Sequence, residues 1–297
     1  MAYFFHFFKV SLENLLLECL ILAPMFILAI AEGHHELPMS AVELFRLGPF
    51  VVTNSMIPAW IVSIGLIVFA QWAMRSPKLV PKGAQNFLEW VVESLAGLLE
   101  GVLGQEWARK TLWFFTSIFL FILCSNWFGL FPGVGTIGRG HGESWYDLMI
   151  TQPFIRGANA DVNMTMAMAL VFFVLWTVWS LQANGVGGFV HHIFGSKADN
   201  KGLIGVVMIA AFIFVGLIEV ISIAFRPVSL SFRLFGNIYG GEYMLESMMA
   251  INKWLSWLIP LPFYFFELLV GVVQALVFCL LTAVFTGMMV RQEEGHH

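Results

Sequence analysis

Apolar residues run in long unbroken stretches along this chain, and polar residues gather in the short segments between them. A helix needs about 20 apolar residues to cross the hydrocarbon core of a bilayer. A first run covers about 15–31 and ends in Ala29-Ile30-Ala31, small residues that either mark a signal-peptide cleavage site or close a retained helix. Residues 32–56 are more polar, contain Gly33-His34-His35-Glu36, and read as extramembrane. A span follows at about 57–74 and stops at the basic turn Arg75-Ser-Pro-Lys78-Leu-Val-Pro-Lys82. Short cytoplasmic loops are rich in Lys and Arg, so this turn is placed on the cytoplasmic side.

From 84 to 107 the pattern changes. Glu89, Glu93, Glu100 and Glu106 alternate with Phe87, Leu88, Val91, Val92, Leu95, Leu98 and Leu99 at helical spacing. That predicts an amphipathic helix along the membrane surface. Spans follow at about 111–131 and 162–183, separated by a Gly-rich polar segment with Arg139, His141, Glu143, Asp147 and Arg156. A loop at 184–201, carrying His191, His192, Lys197 and Lys201, falls on the cytoplasmic side by alternation. Two long apolar stretches, about 202–250 and 259–290, complete the chain and leave the C-terminus cytoplasmic. A 45-residue helix extends roughly 68 Å, over twice the hydrocarbon thickness. Strong tilt, a kink near Pro227, or a break is therefore expected.

Composition narrows the class. Hydrophobic residues make up 59% and charged residues 11%, against about 25% charged in a soluble domain. The net charge of −4 forms no basic tract, which argues against a nucleic-acid partner and leaves membrane lipid as the surrounding phase. Cys19, Cys124 and Cys279 lie far apart in apolar runs and read as small buried hydrophobes. Gly133 and Gly135 form Gly-x-Gly without a strand before it or a helix after it, so no nucleotide or other cofactor is expected. The histidines fall outside the core spans and suggest no metal site. The chain itself is expected to hydrolyse nothing.

The candidate chemistry lies in Ser229-Leu-Ser-Phe-Arg-Leu-Phe-Gly-Asn-Ile-Tyr-Gly-Gly-Glu242, within a stretch otherwise apolar enough to span. An arginine at bilayer depth costs roughly 2.5–3.5 kcal/mol on insertion scales, and it usually faces protein or a water-filled path. On a helix at 100° per residue, Ser229 and Asn237 fall about 40° to either side of Arg233, and Arg226, Ser222 and Gly240 about 20° away. Glu219 lies about 40° off and roughly 21 Å along the axis, while Glu242 falls on the opposite face. Arg226, beside Pro227, is expected to snorkel to the cytoplasmic surface. In the last helix Glu267 and Gln274 share a face about 10 Å apart, where a carboxylate and an amide can orient or pass protons. Plainer roles stand beside these: Arg233 as an interior arginine stapling helices, Glu219 as a satisfied carboxylate, and Glu267 as a packing pair.

These residues resemble a known family, subunit a of the F-type ATP synthase. The match includes Glu219, Arg226-Pro227-Val-Ser229, the run Ser-Phe-Arg233-Leu-Phe-Gly-Asn237-Ile-Tyr-Gly-Gly-Glu242, and Gln274-Ala-Leu-Val-Phe. Pro81-Lys-Gly-Ala-Gln-Asn-Phe-Leu-Glu-Trp90, Ser125-Asn126 through Pro132, and Asp161-Val-Asn163-Met-Thr165 are also similar, so the likeness covers about 58–290. It implies an all-α polytopic membrane fold: five core membrane helices, a possible N-terminal signal or helix, two long tilted C-terminal helices and one surface amphipathic helix. Residues 1–57 have no clear counterpart in the family and read from their pattern as a signal-like helix and extramembrane segment, while 58–297 would be the membrane-embedded ion-translocating domain. The implied function is a proton-translocating stator subunit in the cell inner membrane, partnered by the c-ring and the peripheral-stalk b subunits. Arg233 would face each passing c-subunit carboxylate. Asn237, Glu242, Glu267 and Gln274 would line the periplasmic half-channel, and Glu219 and Ser229 would sit by the cytoplasmic one. Members of the family often divide a glutamate and a histidine between the positions of Glu242 and Glu267. Here both are glutamate, and the relay order between them stays open.

Two other classes fit the chain less well. A self-contained secondary transporter using Arg233 for an anionic solute predicts paired repeats with interrupted helices in both halves, and Gly and Pro interruptions do not recur at a common spacing. A purely structural membrane scaffold leaves the polar stripe unexplained.

Overall fold

A computed structural model describes residues 41–48, 50–131, 134, 138–141, 149–194, 202–251, 255 and 258–290. The apolar run at 15–31, Lys197, Lys201 and the C-terminal residues from 291 lie outside them. Among the described residues the chain is helical apart from two short antiparallel hairpins. One pairs β1 (Glu43–Leu47) with β2 (Phe50–Thr53), and the other pairs β3 (Gly138–His141) with β4 (Met149–Pro153). Both fall in the polar segments between spans, where the sequence pattern carries too little alternation to announce a strand.

The helices are α1 (Met56–Ala73), α2 (Ala84–Leu103), α3 (Gln105–Gly129), α4 (Val162–Phe194), α5 (Gly202–Ala250) and α6 (Leu261–Val290). Five segments are long and apolar enough to cross a membrane: Met56–Ala73, Gln105–Gly129, Val162–Phe189, Phe214–Met249 and Leu261–Val290. The chain is thus a multi-pass, all-α membrane protein. α2 is not among the five, and it buries Gln85, Val91, Leu95, Leu99 and Leu103 while Glu93 and Glu100 are exposed. Its apolar stripe at i, i+4 and i+8 is that of an amphipathic helix.

Two boundaries differ from the pattern's expectation, and the long fifth helix keeps the expected one. α3 begins at Gln105 rather than near 111, because Gly104, at φ 81°, turns the chain between α2 and α3. That left-handed backbone is open to glycine and strained for other residues, and hydropathy does not register it. The polar first turn of α3 is then held by an exposed Lys110–Glu106 pair at 2.7 Å. α4 continues helical to Phe194, past a break at Gly185 (φ 66°), where a loop was expected from 184. His191 and His192 therefore lie on helical backbone. α5 runs unbroken for 49 residues with Pro227 inside it. Its 36-residue membrane segment is roughly 54 Å long at 1.5 Å per residue, so tilt rather than a break must fit it to a bilayer.

The chain divides into two compact units. The first comprises Met1–Ser63, Leu123–Asp161 and Gly236–Val273. Its described core is pinned by Asn54 and Ser55, both fully buried. Asn54 donates from Nδ2 to the Pro153 carbonyl at 3.1 Å and accepts at its own carbonyl from the Arg156 amide at 3.4 Å. Ser55 Oγ donates to Asp161 Oδ2 at 2.6 Å. The second unit comprises Ile64–Ile122, Val162–Phe235 and Gln274–His297. Phe114 stacks on Phe172 and meets Trp179 edge-on, while Trp176 Nε1 donates to the Phe285 carbonyl at 3.1 Å. Thr165 and Ser231 join hydroxyls at 2.9 Å, and Asn184 Nδ2 reaches the Met289 carbonyl at 2.8 Å at the end of α6. Cys279 is buried in this unit as a small hydrophobe.

Aromatic packing dominates the second unit's interior, since lipid gives little hydrophobic drive between helices and van der Waals fit must hold them. Phe115→Ala, at a fully buried position, is expected to cost about 3–5 kcal/mol. Val174→Ala, on an exposed face, should change stability by no more than about 0.5 kcal/mol. Thermal midpoints of the detergent-solubilised protein check both.

Candidate functional site

α5 carries the polar stripe. Its buried side is Ile223, Pro227, Leu230, Ser231, Leu234, Ile238 and Leu245, spaced at three, four and seven residues. Ser222, Ser229, Arg233, Gly236, Asn237 and Gly240 are exposed on the other side. The stripe expected from periodicity is therefore the outward face of the helix. Among the described residues Arg233 has no hydrogen bond, ion pair or stacked ring, and it lies near the middle of the Phe214–Met249 span. As a staple between helices of its own chain, Arg233 would be buried and paired, and it is neither.

Arg226 does not snorkel as expected. Its guanidinium lies over the rings of Phe285, at 4.8 Å, and Trp176, at 5.4 Å. Cation–π attraction of this kind strengthens where water is excluded, and it draws the charge inward. Nη1 is buried with no hydrogen-bond partner among the described residues. Glu219, half-buried two turns earlier on α5, is within electrostatic reach of Arg226. Gln274 is buried on α6.

Within the first unit the structure brings Glu242 and Glu267 together. Both line one small cavity with Asn126, Gly129, Leu130 and Ile238, which has room for about one water molecule. Glu267 is 7% exposed, and its Oε1 is buried with no hydrogen-bond partner among the described residues. Glycines make the space. A Cβ at Gly241 would collide with the Glu267 carboxylate, and one at Gly157 would stand 2.9 Å from Glu242 Oε1. Asn126 anchors the cavity wall: its Nδ2 donates to the Gly271 carbonyl at 3.2 Å and its Oδ1 accepts from Asn159 at 2.6 Å. Trp127 Nε1 adds a bond to the Leu268 carbonyl at 3.2 Å.

Two charged neighbours were missed in the sequence. Arg156, 3% exposed, places both Nε and Nη2 3.4 Å from Glu242 Oε2. Glu246, one turn beyond Glu242 on α5, lies within electrostatic reach of both. Glu246 could have been found by stepping one helical turn on from Glu242. Arg156 lies in a segment with no periodicity, and nothing local signals its partner.

An outward arginine in mid-span is costly in lipid alone and calls for an ion, water or another protein beside it. Residues 56–287 match the family model described as ATP synthase A chain. The chain belongs to the ATP synthase A chain family. It is 31% identical over 276 residues to an ATP synthase subunit a of Gloeobacter violaceus, a match covering 91% of this chain and 99% of that one. It is 30% identical over 241 residues to an ATP synthase subunit a of Moorella thermoacetica, covering 81% and 92%. Membership in the ATP synthase A chain family makes this a membrane subunit of an ATP synthase, working in proton transport and ATP synthesis beside the other subunits of that complex. The matched region takes in the five membrane spans almost completely, from Met56 to within the last turn of α6.

The Gly241 contact yields a stability test. Gly241→Ala is expected to cost about 1–3 kcal/mol through overpacking against Glu267. The penalty should largely vanish in a Glu267→Ala background, because the two sites share one contact. Thermal midpoints of the two single variants and the double variant give the coupling, and simple additivity would refute the contact.

Proposed function

We propose that this chain is the proton-conducting stator of its ATP synthase, working against a ring of c subunits and held by peripheral-stalk b subunits in the cell inner membrane. Two offset half-channels deliver and remove protons at the ring carboxylates. The observation that carries the reading is Arg233, outward on a membrane span and with no partner among the described residues. A charge so placed needs a counter-ion from another molecule, and a rotor carboxylate is one.

The physics follows from that pairing. An arginine guanidinium is a fixed positive charge in proteins. At 4 Å and an effective dielectric near 20, it attracts an ionised carboxylate by about 4 kcal/mol. A ring carboxylate must therefore give up its proton before it passes Arg233 and take another afterwards. The same charge repels a proton crossing directly from one half-channel to the other. A membrane potential contributes about 2.3 kcal/mol per charge per 100 mV, which each transfer turns into torque.

Glu242, Glu267 and Asn237 serve the periplasmic half-channel in this reading, together with Gln274. Glu219 and Ser229 serve the cytoplasmic one. The cavity shared by Glu242 and Glu267, with room for about one water, supports proton exchange between those two carboxylates. The division of the chain is that of a leading segment, 1–57, and a translocating membrane domain, 58–297.

Passive proton flux through vesicles stripped of the catalytic head tests the proposal, with native protein and Arg233→Ala compared. Flux that persists or rises in the variant, with ATP-driven pumping lost, is the expected result. Undiminished ATP-driven pumping in Arg233→Ala vesicles would overturn it. Arg233→Lys should also lose coupled pumping, since a lysine is a compact point charge that loses its proton readily when desolvated.

A further inference from the structure

Tyr239, Glu242 and Glu246 fall at i, i+3 and i+7 on α5, so they form one stripe. Arg156 lies against that stripe, from the segment that follows β4. Its guanidinium is 5.8 Å from the centre of the Tyr239 ring and 3.4 Å from Glu242 Oε2, and it interacts electrostatically with Glu246. The backbone that carries Arg156 is held by Asn54 and Ser55. Gly157, the next residue, leaves the room that Glu242 Oε1 occupies. One buried cation thus serves two carboxylates of one helix, and Glu267 of α6 is the third acidic group facing Glu242.

We infer that Glu246 is a further proton-carrying residue, passing protons to Glu242, with Arg156 as the positioning charge the two share. The inference rests on the half-channel reading of Glu242.

The charge balance favours it. An ionised carboxylate buried without a counter-charge is costly, and so is a buried cation that has lost its partner. With two carboxylates and one guanidinium, a single proton can sit on either acid while the other remains paired to Arg156. Transfer breaks the O–H bond at Glu246 and forms one at Glu242, directly or through water, and the total charge of the three groups does not change. The contacts also permit motion. Both Arg156–Glu242 distances exceed the 2.7–2.9 Å usual for a charge-assisted hydrogen bond. Glu246 Oε2 is buried with no hydrogen-bond partner among the described residues, so its proton is not committed elsewhere. Glu246 stands roughly 6 Å further along α5 than Glu242, towards the end of the helix, which puts it earlier on a path entering there.

Proton flux through intact complexes in head-stripped vesicles tests this, with assembly checked by the amount of the chain that co-purifies. Glu246→Gln is expected to lower flux roughly tenfold or more, within the range of a lost acid–base group. Glu246→His, which still exchanges protons, should retain much of it. Equal loss with glutamine and histidine would mean a structural carboxylate and overturn the inference. If only the histidine variant assembles, conduction by it supports the relay and silence refutes it. The double variant Glu246→Gln/Glu242→Gln should be no slower than Glu242→Gln alone, as groups in one relay are not additive. Arg156→Lys should conduct better than Arg156→Gln. Native flux in Glu246→Gln beside slow flux in Glu242→Gln would remove Glu246 alone. Native flux in Glu242→Gln would remove the half-channel reading itself.

Discussion

A charge inside a bilayer must be compensated, and the position of each counter-charge decides what this chain can do. Compensation is supplied in two different ways. Arg156 and Arg226 meet compensating groups within their own units, the first Glu242 and the Tyr239 ring, the second two aromatic faces and the field of Glu219. Arg233 stands outward on the same helix that carries Glu219, Arg226 and Glu242. A lone chain would insert that residue at a cost of a few kcal/mol, so its place makes sense only in an assembly. Arg233, exposed and without a counter-charge among the described residues, is available to a neighbour.

The acidic groups depend on glycine as much as on charge. A carboxylate is bulky and needs space between helices that otherwise close on each other. Gly241 opens that space for Glu267 and Gly157 opens it for Glu242, while Gly129 lets the backbone at Gly157 approach. Small residues at membrane helix contacts usually serve close packing alone. Here part of the room they make is occupied by acids and a water-sized cavity rather than by another backbone. Close packing and the acids therefore compete for the same space, and a methyl group at either glycine would press on a carboxylate first.

Much of the fold was legible in the sequence because lipid allows few solutions. Long apolar runs must be helices when no water can satisfy the backbone, and the five spans lie close to where hydropathy put them. The stripe around Arg233 was equally legible, since a period of 3.6 residues is fixed by the backbone itself. What escaped was anything decided by one residue's dihedral or by distant partners. Gly104 moves the start of α3 by six residues from the expected 111, and Gly185 breaks α4 without ending it. The turn of Arg226 toward Trp176 and Phe285 joins three helices, and no local pattern foretells it. The pairing of Arg156 with Glu242 spans 86 residues of chain. Its signal exists only once the segment after β4 is folded back.

That asymmetry has a physical root that bears on how such a subunit can vary. The spans and the outward stripe are set by short-range rules, so many apolar sequences would preserve them. The cluster around Glu242 is set by contacts among a polar loop, α5 and α6, each needing the others in place. Residues 54 and 55, at the entrance to α1, hold that loop by three hydrogen bonds, to Pro153, Arg156 and Asp161. A polar segment lying beside a membrane domain thus determines where a buried charge sits inside it. The outward arginine is fixed by the helix it stands on, whereas the acids are fixed by a loop that could be altered with little effect on the helices. The proposed proton entry would accordingly be tuned through the loop while Arg233 and its face remain as they are.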